Sequence, residues 1–345
     1  MEKKIFFNLP YINKDSKKNL IKVFKNKKFS DGEFQVKTEK LIEKQINSNH
    51  ITITQSCTDA LEAAIILIGI KPGDEVIMPS YTFPSTANCV LLRGGRPVFI
   101  DVKKNNLNLD PDKVEKKITK KTKAIILVHY AGIACEMKEF LRIKRKYNLF
   151  LIEDAAHGYL AKYKEKYLGT IGDVGTFSFH ESKNFVGGQG GAISINSKRL
   201  IKNCKIVFDK GTDRSYSKIG YYSWKGIGSE YRASELASSL IYSQLLKSKY
   251  IQNKRRLIWE FYNSKLYNLQ NKNFYILKYE KYKTNSYHVF PIIFRTKILR
   301  DKFIKYMKKN KIDCFFHYYP LHMSTFGKKI TKLNLEITEK AYKGL

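Results

Sequence analysis

Between residues 51 and 156 the chain repeats one alternation: a short β-branched or aliphatic run, then a stretch with helical spacing. ITIT (51–54) leads into DALEAAIILIGI, EVIMPS (75–80) into TANCVLLRGG (86–95), and PVFIDV (97–102) into a helix near PDKVEKKI (111–118). AIILVHY (124–130), MKEFLRIKRKY and LFLIEDAA (149–156) continue the series. Strands this apolar are buried on both faces, and strands separated by helices are joined by crossovers. The pattern therefore predicts an α/β fold, a mainly parallel sheet with helices on both sides. Ligands of such sheets sit at the carboxyl ends of the strands. Chemistry is to be sought in the residues that follow each strand.

After residue 235 the texture changes. A long helical stretch, SELASSLIYSQLLKSKYIQNKRRLIWEFYNSKL, precedes a strand-like SYHVFPIIF (286–294), a basic helix RDKFIKYMKKNKI, and DCFFHYYPLH. Two units are expected, a large one over 1–245 and a smaller α/β one over 246–345. The densest basic stretch, Lys17 to Lys28, carries Leu20, Ile21 and Phe24 at helical spacing and predicts an amphipathic surface helix.

The strand ends yield a set. After the first strand, Gln55-Ser56-Cys57-Thr58-Asp59 opens a helix. Its capping hydroxyls and free N–H groups suit a phosphate, or serve as a plain N-cap. After EVIMPS comes Phe83, a core ring or a face offered to a flat ligand. After LFLI come Glu153, Asp154 and His157. An acid closing an apolar strand either caps the next turn or pairs with a cation such as a protonated ring nitrogen. Lys183 follows GTFSFH and precedes GGQGG, where Gly187, Gly188, Gly190 and Gly191 fall within five residues. A lysine desolvated there loses basicity and becomes a candidate for an imine. A phosphate cradle, a stacking aromatic, an acid and an imine lysine are together the parts that hold pyridoxal 5′-phosphate.

Composition removes other classes. The formal charge is +33, with 64 Lys and Arg, but these are spread along the chain instead of forming one stripe. A nucleic-acid partner is not expected, and the basic balance draws anionic ligands to any cleft. The five cysteines are never spaced C-x-x-C, so no metal site or disulfide framework is expected. No apolar run is long enough for a membrane span, and a cytoplasmic protein is expected.

SCTDAL, MPSYTFPSTAN, VHYAG, EDAAHG, FSFHESKN and GGQGGAISIN occur in that order, within a region from SDGEF (30–34) to FHYYPLH (316–322). In these stretches the chain resembles the sugar-nucleotide aminotransferases of the DegT/StrS group, within the fold-type I pyridoxal-phosphate enzymes. FSFHESKN and VHYAGIACEM look most like the dTDP-4-amino-4,6-dideoxygalactose transaminases. The resemblance implies a seven-stranded, mainly parallel sheet, a homodimer, and amination of a dTDP-4-keto-6-deoxy-hexose by L-glutamate. A UDP-linked sugar or a C3 ketone is the alternative, and a basic scaffold that lost catalysis is another. It further implies Lys183 as the imine lysine and proton carrier, and Asp154 as partner of the pyridinium nitrogen. Phe83 would stack on the ring, with His157 near its hydroxyl, and Ser56, Cys57, Thr58 and Ser178 would hold the phosphate. His180, His317 and His322 would lie toward the sugar; relatives acting at C3 tend to carry an aromatic in place of His180. The group often has Asn where this chain has Glu230, whose charge would repel a phosphate. Relatives usually run on past KAYKGL, so a trimmed or truncated small domain is expected.

Overall fold

The computed structural model describes residues 4–216, 220–280 and 283–345. The strands are β1 (Ile51–Thr54), β2 (Glu75–Pro79), β3 (Arg96–Ile100), β4 (Thr122–Val128), β5 (Phe150–Asp154), β6 (Lys162–Tyr163), β7 (Lys166–Tyr167), β8 (Val174–Ser178), β9 (Gly191–Ile195), β10 (Phe274–Ile276) and β11 (Ile292–Phe294). The helices are α1 (Lys14–Asn26), α2 (Glu33–Ile46), α3 (Cys57–Leu67), α4 (Ser85–Leu91), α5 (Pro111–Glu115), α6 (Met137–Tyr147), α7 (Lys198–Phe208), α8 (Glu235–Leu246), α9 (Ser248–Leu266), α10 (Lys297–Lys309), α11 (Gly327–Ile330) and α12 (Glu336–Gly344).

Seven strands form one sheet in the order β1-β9-β8-β5-β4-β2-β3. All its pairings are parallel except those of β9, which runs antiparallel to both β1 and β8. Helices cover both faces. Ile126 of β4 faces the cluster built on Leu61, Ala64 and Ile65 of α3, while Ile125 and Leu127 face Phe140 and Ile143 of α6. That split follows from the two-residue period of a strand. α6 is amphipathic, burying Met137, Phe140 and Ile143, and ends at Asn148 in the left-handed conformation.

The long stretch after residue 235 is two helices, broken at Lys247. Of the strand expected over 286–294, only β11 forms, pairing with β10 as an antiparallel ribbon. The smaller region made by α9 onward is bolted to the sheet at two strand ends. Asp101, just after β3, caps the start of α12 by accepting from the backbone N–H groups of Ile337 and Thr338 and from the Thr338 hydroxyl, and it also accepts from Lys113. His322 spans from Ser80, just after β2, to Glu339 of α12, through its two ring nitrogens at 2.7 and 3.2 Å.

The amphipathic helix expected in the basic stretch is α1, but its packed face differs. Ser16 and Val23 are buried, whereas Ile21 and Phe24 lie exposed. Among the described residues, no helix is long and apolar enough to cross a membrane.

Candidate active site

The carboxyl ends of β1, β2, β5 and β8 converge as the alternation demands. At β5, Asp154 is 5% exposed and forms no salt bridge among the described residues. Its Oδ2 accepts from the Thr86 hydroxyl at 2.9 Å and its Oδ1 from the Ala156 N–H at 3.2 Å. Thr82 in turn lies 2.8 Å from Thr86, oxygen to oxygen. Since Thr86 spends its one proton on Asp154, Thr82 must be the donor in that pair. Burial pushes the Asp154 carboxyl up, and the Ala156 N–H, the Thr86 hydroxyl and the Lys183 charge hold it back. A buried acid with donors but no cation is a site prepared for one.

Lys183 sits in the connection between β8 and β9. That connection is a folded hairpin: Phe179 N–H bonds Gly190 O, Gly187 N–H bonds Phe179 O, and Glu181 N–H bonds Gly188 O. The lysine is half-buried, and among the described residues its ammonium forms no salt bridge. Burial pulls it down to about 8, against the opposing pull of Cys57 and Asp154. A fraction of the amine is therefore unprotonated near neutral pH, as a nucleophile requires.

At β1, Ser56 caps α3: its Oγ accepts from Asp59 N–H at 3.1 Å and donates to Asp59 Oδ2 at 2.6 Å. The Ser56 side chain is thus committed to the helix, and the sequence expectation of a phosphate ligand there is corrected to a cap. The N–H groups of Cys57 and Thr58 have no partner among the described residues, and the positive end of α3 adds to them. The Thr58 hydroxyl lies 2.7 Å from that of Ser85. The Cys57 thiol, its pKa pushed up by burial, faces Asp154, Thr176 and Lys183. Gly191 explains the end of the glycine run. A Cβ there would lie 2.4 Å from the Ser56 carbonyl carbon and 2.5 Å from Cys57 N, so β9 starts flush against the first peptide of α3. Gly187 and Gly190 pass equally close to Ile241 of α8.

A cleft lined by Ala156, His157, Ser178, Lys183, Asn184 and His288 opens beside these groups. His157 Nδ1 accepts from Ala131 N–H at 3.3 Å, so its neutral ring carries the proton on Nε2, directed at the Tyr318 hydroxyl 2.9 Å away. The His288 ring lies 4.5 Å from that of His157. Asn184 donates to Ser286 O, which leaves its Oδ1 to accept from His288 Nδ1 at 2.9 Å. His288 is therefore the opposite tautomer and offers a bare Nε2. Burial and the Lys183 charge keep both imidazoles well below their ordinary range. His317 is held at about 4 for the same reasons. Its carbonyl accepts from the hydroxyls of Tyr81 and Tyr130, fixing the Tyr318 segment over the cleft.

The remaining sequence candidates divide. Ser178 borders the cleft. Phe83 stands at the rim, 57% exposed, its ring 6.3 Å edge-on from Tyr318. His180 is exposed and bonded to Ser182 at 3.0 Å. His322 is not brought to the cleft: at 3% exposed, both its ring nitrogens are spent on Ser80 and Glu339, so its expected place beside a sugar is withdrawn. Glu230 is ion-paired with Lys210, which offsets the repulsion expected of its charge. Thr86, His288, Asn184 and Tyr318 were missed by the sequence reading. Thr86 in MPSYTFPSTAN, Asn184 in FSFHESKN and Tyr318 in HYYPLH each lay inside a quoted motif, whereas His288 had no such signal.

Pyridoxal 5′-phosphate fits this donor set. The uncompensated buried carboxylate matches a proton-bearing ring nitrogen, the free N–H groups of Cys57 and Thr58 match a phosphate, and the low-basicity amine matches an aldehyde.

Three comparisons bear on the same point. The profile of the DegT/DnrJ/EryC1/StrS aminotransferase family matches residues 10–345. GDP-perosamine synthase of Escherichia coli O157:H7 is 31% identical over 88% of this chain and 81% of its own length. The UDP-4-amino-4,6-dideoxy-N-acetyl-beta-L-altrosamine transaminase of Campylobacter jejuni serotype O:23/36 is 30% identical over 94% and 86%. Among solved structures, Helicobacter pylori PseC, described as an aminotransferase involved in pseudaminic acid biosynthesis, superposes with a TM-score of 0.91 at 25% identity, covering 99% of this chain and 92% of its own.

Proposed function

We propose, from the premise that this chain belongs to the DegT/DnrJ/EryC1/StrS aminotransferase family and is a pyridoxal-phosphate-dependent sugar aminotransferase, that it aminates C4 of a nucleoside-diphosphate-linked 4-keto-6-deoxy-hexose, taking nitrogen from L-glutamate. The nucleotide we propose is dTDP. The observation that carries the reading is the conjunction at the strand ends, where a buried carboxylate without a cation faces a lysine whose amine is held at about 8.

When bound, the cofactor supplies an electrophilic carbon and a ring that takes up an electron pair. The chain's own groups do the rest. Asp154 holds the proton of the ring nitrogen, kept ionised by Thr86 and the Ala156 N–H. Cys57 and Thr58 N–H groups and the Ser178 hydroxyl bind the phosphate. Phe83, at the rim, would offer a face to the ring, and His157, bonded to the Tyr318 hydroxyl, would lie toward its hydroxyl. The Lys183 amine, its basicity lowered by burial, would carry the proton removed from the donor's α-carbon. His180, at the position where C3-acting relatives tend to carry Phe, Tyr or Trp, would lie toward the sugar, and its identity favours C4 in this reading. His317 would lie toward the same substrate.

Names among the relatives carry 4-amino-4,6-dideoxy sugars on UDP, and GDP in another case. The test therefore offers the dTDP-, GDP- and UDP-linked 4-keto-6-deoxy sugars with glutamate and identifies the product by NMR. A 4-amino product from the dTDP sugar is expected. Turnover of the UDP or GDP substrate alone would overturn the nucleotide, and a 3-amino product would overturn the position. We further propose a homodimer, with the exposed Phe83 rim near the second copy; a monomeric mass by light scattering in active enzyme would contradict it.

A further inference from the structure

We propose that Asn8 is a positioning residue for Lys183. The inference rests on the reading of Lys183 as the reacting amine. The hairpin that carries this lysine has four glycines, and the side chains that tie it down, Asn184 and the buried Phe185, follow the lysine and leave the turn before it to other support. Among the described residues, the carbonyls of Glu181 and Lys183 find one partner, the Asn8 side chain. Its Nδ2 donates to Glu181 O at 2.6 Å and to Lys183 O at 3.3 Å. Its Oδ1 accepts from Nη2 of Arg255 on α9.

Arg255 is unusual in its own right. It is half-buried, forms no salt bridge among the described residues, and burial draws it down to about 10. Its donors go to neutral oxygens: Asn8 Oδ1 and, at 3.4 Å, the carbonyl of His288. One guanidinium thus joins the support of the lysine loop to the backbone of the imidazole that faces the lysine.

The rest of the segment anchors Asn8. Ile5 bridges to Ile312, with Ile5 N–H to Lys311 O and Asp313 N–H to Ile5 O both at 2.9 Å. The Phe7 ring packs on Phe315 and His317, centroids 5.2 and 5.8 Å apart. Beyond it, Tyr11 stacks near Tyr250 at 5.1 Å, and Asn13 caps α1. Residues 5–13 therefore tie the lysine hairpin, the His317 segment and α9 to one fixed thread. Catalytic geometry is sensitive to displacements of an ångström, and a glycine-rich loop does not resist them by itself.

The test uses Asn8→Ala and Asn8→Asp in the full chain. The aspartate keeps an acceptor for Arg255 but cannot donate to the two carbonyls. Amide hydrogen exchange of residues 180–187 in the cofactor-free protein is measured first, with β5 as internal reference. The pH midpoint of the visible band of the lysine-bound cofactor is measured next, then kcat and KM. Loss of the two hydrogen bonds is expected to raise exchange in 180–187 about tenfold in both variants and to leave β5 unchanged. The band midpoint shifts, and kcat falls about tenfold with little change in KM for the sugar. Wild-type exchange and band midpoint in both variants would overturn the proposal, as would full recovery in Asn8→Asp, since the Arg255 link alone would then suffice. If wild type forms no band with added cofactor, the Lys183 reading fails, while the exchange comparison still decides whether Asn8 holds the hairpin.

Discussion

Replacing Thr86 by valine removes one hydroxyl from the floor of the site and almost no volume. That hydroxyl donates at 2.9 Å to a carboxylate that has one other donor and no paired cation. A hydrogen bond to a charged group contributes about 1.5–3 kcal/mol. Its loss lifts the Asp154 pKa further beyond the rise that burial already causes. The sign follows from linkage: a carboxyl raised further in the folded state binds protons that the unfolded chain releases, so the folded state loses stability as pH rises through the folded pKa. Cofactor-free Thr86→Val should therefore be less stable than wild type by about 1.5–3 kcal/mol at pH 8, with the gap closing at an acid pH where the carboxyl is protonated in wild type as well. Urea unfolding at the two pH values measures this. Cofactor affinity, by titration of the visible band, should fall about 10- to 100-fold, since a carboxyl that holds its own proton more firmly is a poorer anionic partner for the ring nitrogen. Thr86→Ser keeps the donor and should restore both. A deficit equal at both pH values, with unchanged cofactor affinity, would refute the argument and reduce Thr86 to packing.

Other outcomes follow from single contacts. In the cofactor-free protein, arylation of Lys183 should rise through pH of about 8. Its lowered pKa also means that only the unfolded chain keeps that proton between about 8 and the ordinary 10.5, so stability should climb across this window and not in Lys183→Met. Gly191→Ala would drive a Cβ into the Ser56–Cys57 peptide, 2.4 Å from its carbonyl carbon, and should weaken cofactor binding more than roughly tenfold by moving the start of α3. Gly32→Ala would place a Cβ 2.5 Å from the carboxyl carbon of Glu235, which accepts the Phe34 and Gln35 N–H groups at the start of α2. Urea unfolding should show a loss of about 1–3 kcal/mol.

Much of the sheet was legible because apolar strands and amphipathic helices have distinct periods. Strand direction was not: nothing in GAISIN distinguishes a reversed β9 from a parallel strand, and only the short hairpin around Lys183 makes the reversal necessary. Asp154 and Lys183 could be found because each stands at a strand end, where burial makes a charged residue conspicuous. Thr86, Asn8 and His288 could not, since their meaning lies in partners 68, 175 and 104 residues away. His322 misled for the same reason. A histidine in a motif looks like a ligand until both its nitrogens are found spent. In α1, Leu20, Ile21 and Phe24 share one arc of the helix, but local spacing did not reveal that the packed face is the one carrying Ser16 and Val23.

The links from Ser80 to His322 and from Asp101 to Thr338 span 242 and 237 residues. Order of synthesis gives this distance a meaning. A growing chain completes β2, β3 and the strands beside them long before α12 exists. Until it does, Ser80 and Asp101 lack the donors and acceptors that satisfy them in the finished molecule, and burying them early would be costly. The two strand ends must stay wet while the rest of the sheet consolidates. Tyr318, bonded to His157 in the cleft, arrives within the same late portion of the chain. A nascent chain therefore passes through a period with its sheet formed and its cleft still unroofed, and the site becomes competent only at the last stage of folding.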